Sequence, residues 1–317
     1  MIYRIASAPA KGKGLVGVYP EWENSGTGTK DKQILEQQTD FSILFTRNYC
    51  GQFVKRIERQ LLQFGRYIDI VCGWEPEKLR MLFLPFNPSI EVLRLSAMHF
   101  NTFDLISTVR NECARFPPEK KYDIFFSMSQ RPDNLKQVDL LCGILSRIQQ
   151  PTHIIGFGRL SDTALIEIRK NKNVSFYWCG KAKVTDTEQR LNFLTELVKS
   201  RCLLVTSRVE GYCRLMGEAL LLGVPILLNG EILCENWMHL NADNCRMFTE
   251  ATFDICLKDI LSRAWNFTPP VYEDGNKLLQ SFFKDFLHRR GLPLPETWFP
   301  LKYGALTDQR VLLSGKK

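Results

Sequence analysis

Cys202-Leu203-Leu204-Val205-Thr206-Ser207-Arg208-Val209-Glu210-Gly211-Tyr212-Cys213-Arg214-Leu215-Met216-Gly217-Glu218-Ala219-Leu220-Leu221-Leu222-Gly223-Val224-Pro225 reads as strand, polar loop, helix and turn in close succession. The apolar run at 202–206 does not alternate with polar residues, which marks a strand buried on both faces, as in a parallel sheet. A polar loop containing Gly211 follows, and an apolar helix at 215–222 leads through Gly223 and Pro225 to another short apolar strand at 225–228.

The same alternation extends upstream. Strands are expected at 122–128, 153–157 and 174–178, with helices at 134–148, 162–170 and 185–200. Strands separated by helices of this length build βαβ units, and hence a parallel sheet with Rossmann-like winding. Before Phe116-Pro117-Pro118-Glu119-Lys120-Lys121, the best linker in the chain, the pattern is looser. Strands are expected there at 2–6, 15–19, 41–45, 68–72, 81–84 and 90–95, and helices at 53–64 and 103–114. A last amphipathic helix at 276–290 is stopped by Gly291 and Pro293. The expected division is a short N-terminal Rossmann-like domain at 1–116, a second domain at 121–275, and a C-terminal helix and tail at 276–317.

With 317 residues, 44% of them hydrophobic and 24% charged, the chain is ordinary globular material for two domains. The ten cysteines stand singly, with no CxxC pair, so reduced and mostly buried thiols are expected rather than a zinc site or disulfides. No N-terminal apolar stretch suits a signal peptide, and the longest apolar segment is broken by Glu218. A soluble cytoplasmic protein follows as the expectation, with peripheral membrane contact open. The net charge of +8 is spread over both halves, which favours anionic substrates or surfaces in general. Arg47, Lys55, Arg56, Arg59 and Arg66, against the single acid Glu58, form either a solvated helix face or a polyanion-binding surface.

Chemistry concentrates in the quoted stretch. Ligands of parallel sheets bind at the carboxyl ends of strands, where loops meet helix N-termini and free N–H groups favour an anion. Gly211 lets a backbone approach closely. Glu210 in the loop and Glu218 about two turns into the helix are acceptors suited to vicinal hydroxyls. A glutamate inside Leu215-Met216-Gly217-Glu218-Ala219-Leu220 needs a partner or a ligand cavity.

Glu210, Gly211, Tyr212, Glu218, Ala219, Gly223 and Pro225 together resemble the signature EG(F/Y)-x5-EA-x3-G-x-P of retaining GT-B glycosyltransferases of family 4. Arg131-x4-Lys136 after the strand at 122–128 resembles the family's diphosphate grip, and the turn ending at Cys179-Gly180 its base-contacting turn. Gln130 and Gln137 stand where glycines commonly flank that grip. The resemblance implies a GT-B fold: two Rossmann-like α/β domains facing a central cleft, with the C-terminal helix crossing back to the N-terminal domain. It also implies a metal-independent hexosyltransferase-like enzyme with no cofactor beyond the nucleotide diphosphate-sugar.

By the same resemblance, Glu210 takes the sugar hydroxyls, and Gly211, Tyr212 and Cys213 offer backbone amides to sugar and phosphate. Glu218 holds the ribose, Arg131 and Lys136 neutralise the leaving diphosphate, and Gly180 with Lys181 flank the base. His99 is assigned to the family's sugar-contacting histidine, with a structural histidine as the alternative. Expected partners are a UDP- or GDP-type donor and a glycan, lipid or small-molecule acceptor. Glycosylation of nucleic acid and a catalytically silent nucleotide-sugar-binding protein are the alternatives.

Overall fold

The computed structural model describes residues 2–6, 16–20, 41–45, 65–73, 76–95, 103–129, 136–181, 186–210, 213–234 and 237–291. The helix expected at 53–64 and most of the basic run from Arg47 lie outside them. The chain forms two compact units, Met1–Asn101 with Tyr272–Lys317, and Thr102–Val271. The helix Phe103–Arg115, which the sequence division put in the N-terminal part, belongs to the second unit, and the C-terminal helix belongs to the first.

In the first unit, β1 (Ile2–Ala6) pairs antiparallel with β2 (Val16–Pro20). β3 (Phe41–Phe45), β4 (Ile70–Gly73) and β5 (Glu91–Arg94) continue the sheet in parallel. Ile70, Val71 and Cys72 are all buried, as an apolar run without alternation requires. Of residues 81–84, expected as a strand, the first three instead close helix α1 (Pro76–Phe83) and Leu84 follows in a turn. Pro76 is pre-set for a first helical turn, and Leu79 and Phe83, one turn apart, bury one face while Met81 is 71% exposed.

The C-terminal helix of this unit, Gly275–Arg289, buries Leu279, Phe283, Phe286 and Leu287, an i, i+4, i+7, i+8 stripe, and ends before left-handed Gly291 at φ 64°. Its end is tied to the β4–β5 region by Arg289 on Glu91 and by Arg290 at 3.5 Å from Asp69. These pairs are half exposed, so they orient the helix more than they stabilise it.

The second unit starts with α2 (Phe103–Arg115) and then alternates strand and helix, except that among the described residues only the 3-10 turn Trp237–His239 stands between its last two strands. Its strands are β6 (Tyr122–Ser129), β7 (Thr152–Arg159), β8 (Val174–Trp178), β9 (Ser200–Val205), β10 (Ile226–Asn229) and β11 (Cys245–Phe248). Between and after them run α3 (Val138–Ser146), α4 (Asp162–Arg169), α5 (Thr187–Val198), α6 (Arg214–Leu221) and α7 (Phe253–Ser262). The sheet is parallel throughout, in the order β11-β10-β9-β6-β7-β8. Winding runs outward from β6 through β7 and β8, then returns to β9 and runs the other way. That reversal leaves a crevice at the carboxyl ends of β6 and β9.

Both sheet faces are covered. Ile124 and Phe126 of β6 pack with Leu141, Ile144, Cys202 and Leu204. Phe125 points to the opposite face, where its ring lies 5.3 Å from Phe157 and 5.1 Å from Phe193. Helices α4 and α5 are capped by Ser161, accepting from Ala164 N, and by Asp186, accepting from Gln189 N. The expected helix at 134–148 is shorter at its start, because Gln137 is left-handed at φ 48° and α3 begins after it.

The nine described cysteines are free thiols, and Cys72, Cys202, Cys234 and Cys245 among them are buried. Among the described residues no helix is long and apolar enough to cross a membrane.

Candidate functional site

The carboxyl end of β9 carries the chain into the loop quoted at the outset. Thr206 and Ser207 are buried, and the loop is pinned to the segment after β10 by a parallel bridge between Val209 and Leu233. Glu210 N donates to Leu233 O at 2.9 Å, and Leu233 N donates to Arg208 O at 2.8 Å. Glu210 is thus held by its backbone while its side chain turns toward the crevice. There Oε1 accepts from Ser207 Oγ at 2.7 Å and forms an ion pair with Lys136 Nζ.

Lys136 arrives from the other side of the crevice, in the loop between β6 and α3. Its carbonyl accepts from Thr206 Oγ1 at 3.0 Å, so a β9 residue fixes the backbone of the β6 loop. A cavity of about 260 Å³ opens here, lined by Ser127, Lys136, Thr206, Ser207, Glu210 and Cys213 among others. It sits at the point where the sheet reverses its winding. Helix α6 begins beside it with no acidic residue in its first turn, leaving the positive end of its dipole without an anion from the helix itself.

Cys213 precedes α6 and lines the cavity. Burial pushes its thiol up to about 12, with the Glu210 charge adding and Lys136 opposing. It is therefore a protonated packing group, and its contribution to a ligand would come from the backbone.

Glu218, expected to need a partner or a ligand cavity, has partners. It is fully buried and does not line the cavity. Its Oε1 is paired with Arg190, from α5, and with Arg214 Nε at 3.3 Å. Arg190 is 4% exposed and also stacks on Phe193, its guanidinium carbon 4.7 Å from the ring centroid. Two guanidiniums on one carboxylate meet the requirement that a buried charge be compensated. Arg214, one helical turn before Glu218, is a partner legible in sequence. Arg190, 28 residues away, is not.

Gly180 is left-handed at φ 68° in the turn after β8, with exposed Lys181 beside it, and neither lines the cavity. The Gly180 carbonyl accepts from Gly158 N at 2.8 Å. Gly158, which the sequence reading passed over, stands at φ 122° opposite Met128 in the β6–β7 register. A Cβ there would lie 1.6 Å from Met128 O, so only glycine lets β7 approach the strand end that walls the cavity. Its signal was the Gly156-Phe157-Gly158 spacing at the end of an apolar run. Of the remaining assigned residues, His99, Arg131, Gly211 and Tyr212 lie outside the described residues. Among the described residues no group of His, Cys, Asp and Glu is arranged to hold a metal ion.

No protein-family model matches this chain, and no curated protein does. Solved structures do. A sucrose-phosphate synthase from Thermosynechococcus elongatus is similar over 83% of this chain and 71% of its own, at 15% identity and TM-score 0.52. The Anabaena protein HepE, solved in complex with UDP, is similar over 78% of this chain and 72% of its own, at 12% identity and TM-score 0.49. At such identities the likeness concerns the fold, which is the GT-B type with two Rossmann-like α/β domains.

Proposed function

We propose that this chain is a glycosyltransferase that takes a sugar from a nucleotide diphosphate-sugar, with retention and without a metal. The observation that carries the reading is the Ser207–Glu210–Lys136 cluster in a cavity at the winding switch, beside the open start of α6. A cation, a hydroxyl-binding carboxylate and helix N–H groups are what a sugar linked to a diphosphate demands. The sucrose-phosphate synthase fold, and the signature from Glu210 to Pro225, support it.

In this reading the donor diphosphate takes over the Lys136 ammonium and the amides at the start of α6, while Glu210 turns from Lys136 to the sugar hydroxyls. Arg131 joins Lys136 on the phosphates. Cleavage of the anomeric carbon–oxygen bond leaves charge on the departing diphosphate, which these groups stabilise without reorganising. Glu218 acts from below: its Arg190–Arg214 clamp holds the first turn of α6 in place. The acceptor class is a glycan, lipid or small molecule, and the donor base is uracil or guanine.

The test mixes the protein with UDP- and GDP-sugars, with and without EDTA, and follows nucleotide diphosphate release. Release that survives EDTA is expected, with a drop of at least about a hundredfold in Glu210→Ala. Inert wild type with every donor, or an unimpaired Glu210→Ala, overturns the reading. The second reading, a silent nucleotide-sugar-binding protein, is favoured by the engagement of Glu218 away from the cavity. It predicts thermal stabilisation by donor with no turnover.

A further inference from the structure

Lys136 is followed by the only described non-glycine residue with positive φ, Gln137 at φ 48° and ψ 59°. Left-handed backbone is unfavourable for a side chain with a Cβ, and it persists only where the surroundings hold it. Here the holding group is identifiable. Asn229, at the end of β10 and 2% exposed, donates from Nδ2 to Gln137 Oε1 at 3.2 Å and to Thr206 O at 3.1 Å. Its Oδ1 accepts from Glu231 N at 3.1 Å. One buried amide therefore joins three loops at the carboxyl edge: that of Lys136, that of Ser207 and Glu210, and that following β10. Thr206 closes the loop of contacts by donating Oγ1 to the Lys136 carbonyl.

We infer that Asn229 and Gln137 are positioning residues for Lys136. Asn229 holds the Gln137 amide, the amide holds the backbone left-handed, and that conformation directs the Lys136 ammonium into the cavity against Glu210. Neither side chain needs to touch the ligand, and neither Asn229 nor Gln137 lines the cavity. The inference rests on the proposed donor site for its catalytic consequence, though not for its geometry.

The chemistry dictates distinguishable variants. Gln137→Ala removes the tether and keeps the Cβ penalty. Gln137→Gly removes the tether and also the need for one, since glycine adopts left-handed backbone freely. Asn229→Ala removes the tether from the buried side. Two readouts are taken on the full chain: donor kcat and KM, and the rate of Lys136 acylation by an activated ester, read by mass spectrometry, which requires no turnover.

Expected are a fall in kcat/KM of on the order of ten- to hundredfold in Gln137→Ala and Asn229→Ala, and an altered Lys136 acylation rate in both. Adding Gln137→Gly to Asn229→Ala restores both readouts most of the way, a rescue that loss of packing at a site 92 residues away would not show. If Asn229→Ala does not fold, Gln137→Ala against Gln137→Gly decides by the same readouts. Unchanged acylation in Gln137→Ala, or no rescue by glycine, overturns the inference. A wild type without turnover but with the expected acylation pattern overturns the proposed function and leaves the positioning network standing.

Discussion

Replacing Arg190 with methionine isolates the charge cluster beneath α6. Methionine keeps an unbranched apolar stem against Phe193, so the change removes charge and hydrogen bonding more than volume. Glu218, fully buried, loses its Arg190 partner and keeps only Arg214 Nε at 3.3 Å. Breaking a buried pair outright costs about 3–5 kcal/mol, and the surviving arginine recovers part of it. The lost stacking of the guanidinium on Phe193, now 4.7 Å away, adds about 1 kcal/mol.

The balance is a destabilisation of about 3 kcal/mol, or roughly 6–12 °C in the melting temperature of a unit this size. With two units in one chain, a global melt mixes their transitions. Hydrogen exchange read on α5 and α6 peptides reports the second unit alone. The control is the triple variant Arg190→Met, Arg214→Met and Glu218→Gln, which removes both guanidiniums together with the carboxylate and is expected to regain at least half of the loss. An Arg190→Met protection loss below about 1 kcal/mol, or a triple variant no more protected than the single, refutes the compensated-charge account.

Gly158→Ala sets a Cβ 1.6 Å from Met128 O at a φ of 122°, so the β6–β7 pairing must part locally; a loss of about 3 kcal/mol or more and weaker nucleotide binding are expected by hydrogen exchange and thermal shift. Lys136→Met should leave the fold intact and weaken UDP or GDP binding by at least about tenfold in calorimetry, because one charge-assisted contact to phosphate disappears; unchanged affinity counts against the site. The thiols of Cys72 and Cys202 are pushed up by burial, and those of Cys213 and Cys245 reach about 12 from 9.0. The folded chain then keeps protons that the unfolded chain releases, so this contribution is complete below about pH 9 and lost as pH rises toward 12. A urea midpoint that falls between about pH 8 and about pH 10.5 checks it, and a flat profile contradicts it.

The second unit was legible almost strand by strand because its signals are local. Unbroken apolar runs such as Cys202–Val205 and helices that bury one face follow from the backbone periods of strand and helix, which any window of the chain displays. Where that locality failed, the reason is visible. Met81 to Leu84 is apolar enough for a strand, but Pro76 and the spacing of Leu79 and Phe83 had already started a helix. β11 went unread because its two buried residues, Cys245 and Phe248, stand three apart, a spacing that fits a helix face and not the alternation of a strand.

The sequence by itself determined that the chain would fold as parallel α/β, and its motif resemblance assigned Glu210 and Lys136 to one expected site. Only the tertiary structure decided what each charge does there. Lys136 meets Glu210 across 74 residues, Arg190 meets Glu218 across 28, and Asn229 reaches Gln137 across 92. Such pairings depend on strand order, and strand order is settled by the packing of whole elements, which no local pattern of residues encodes.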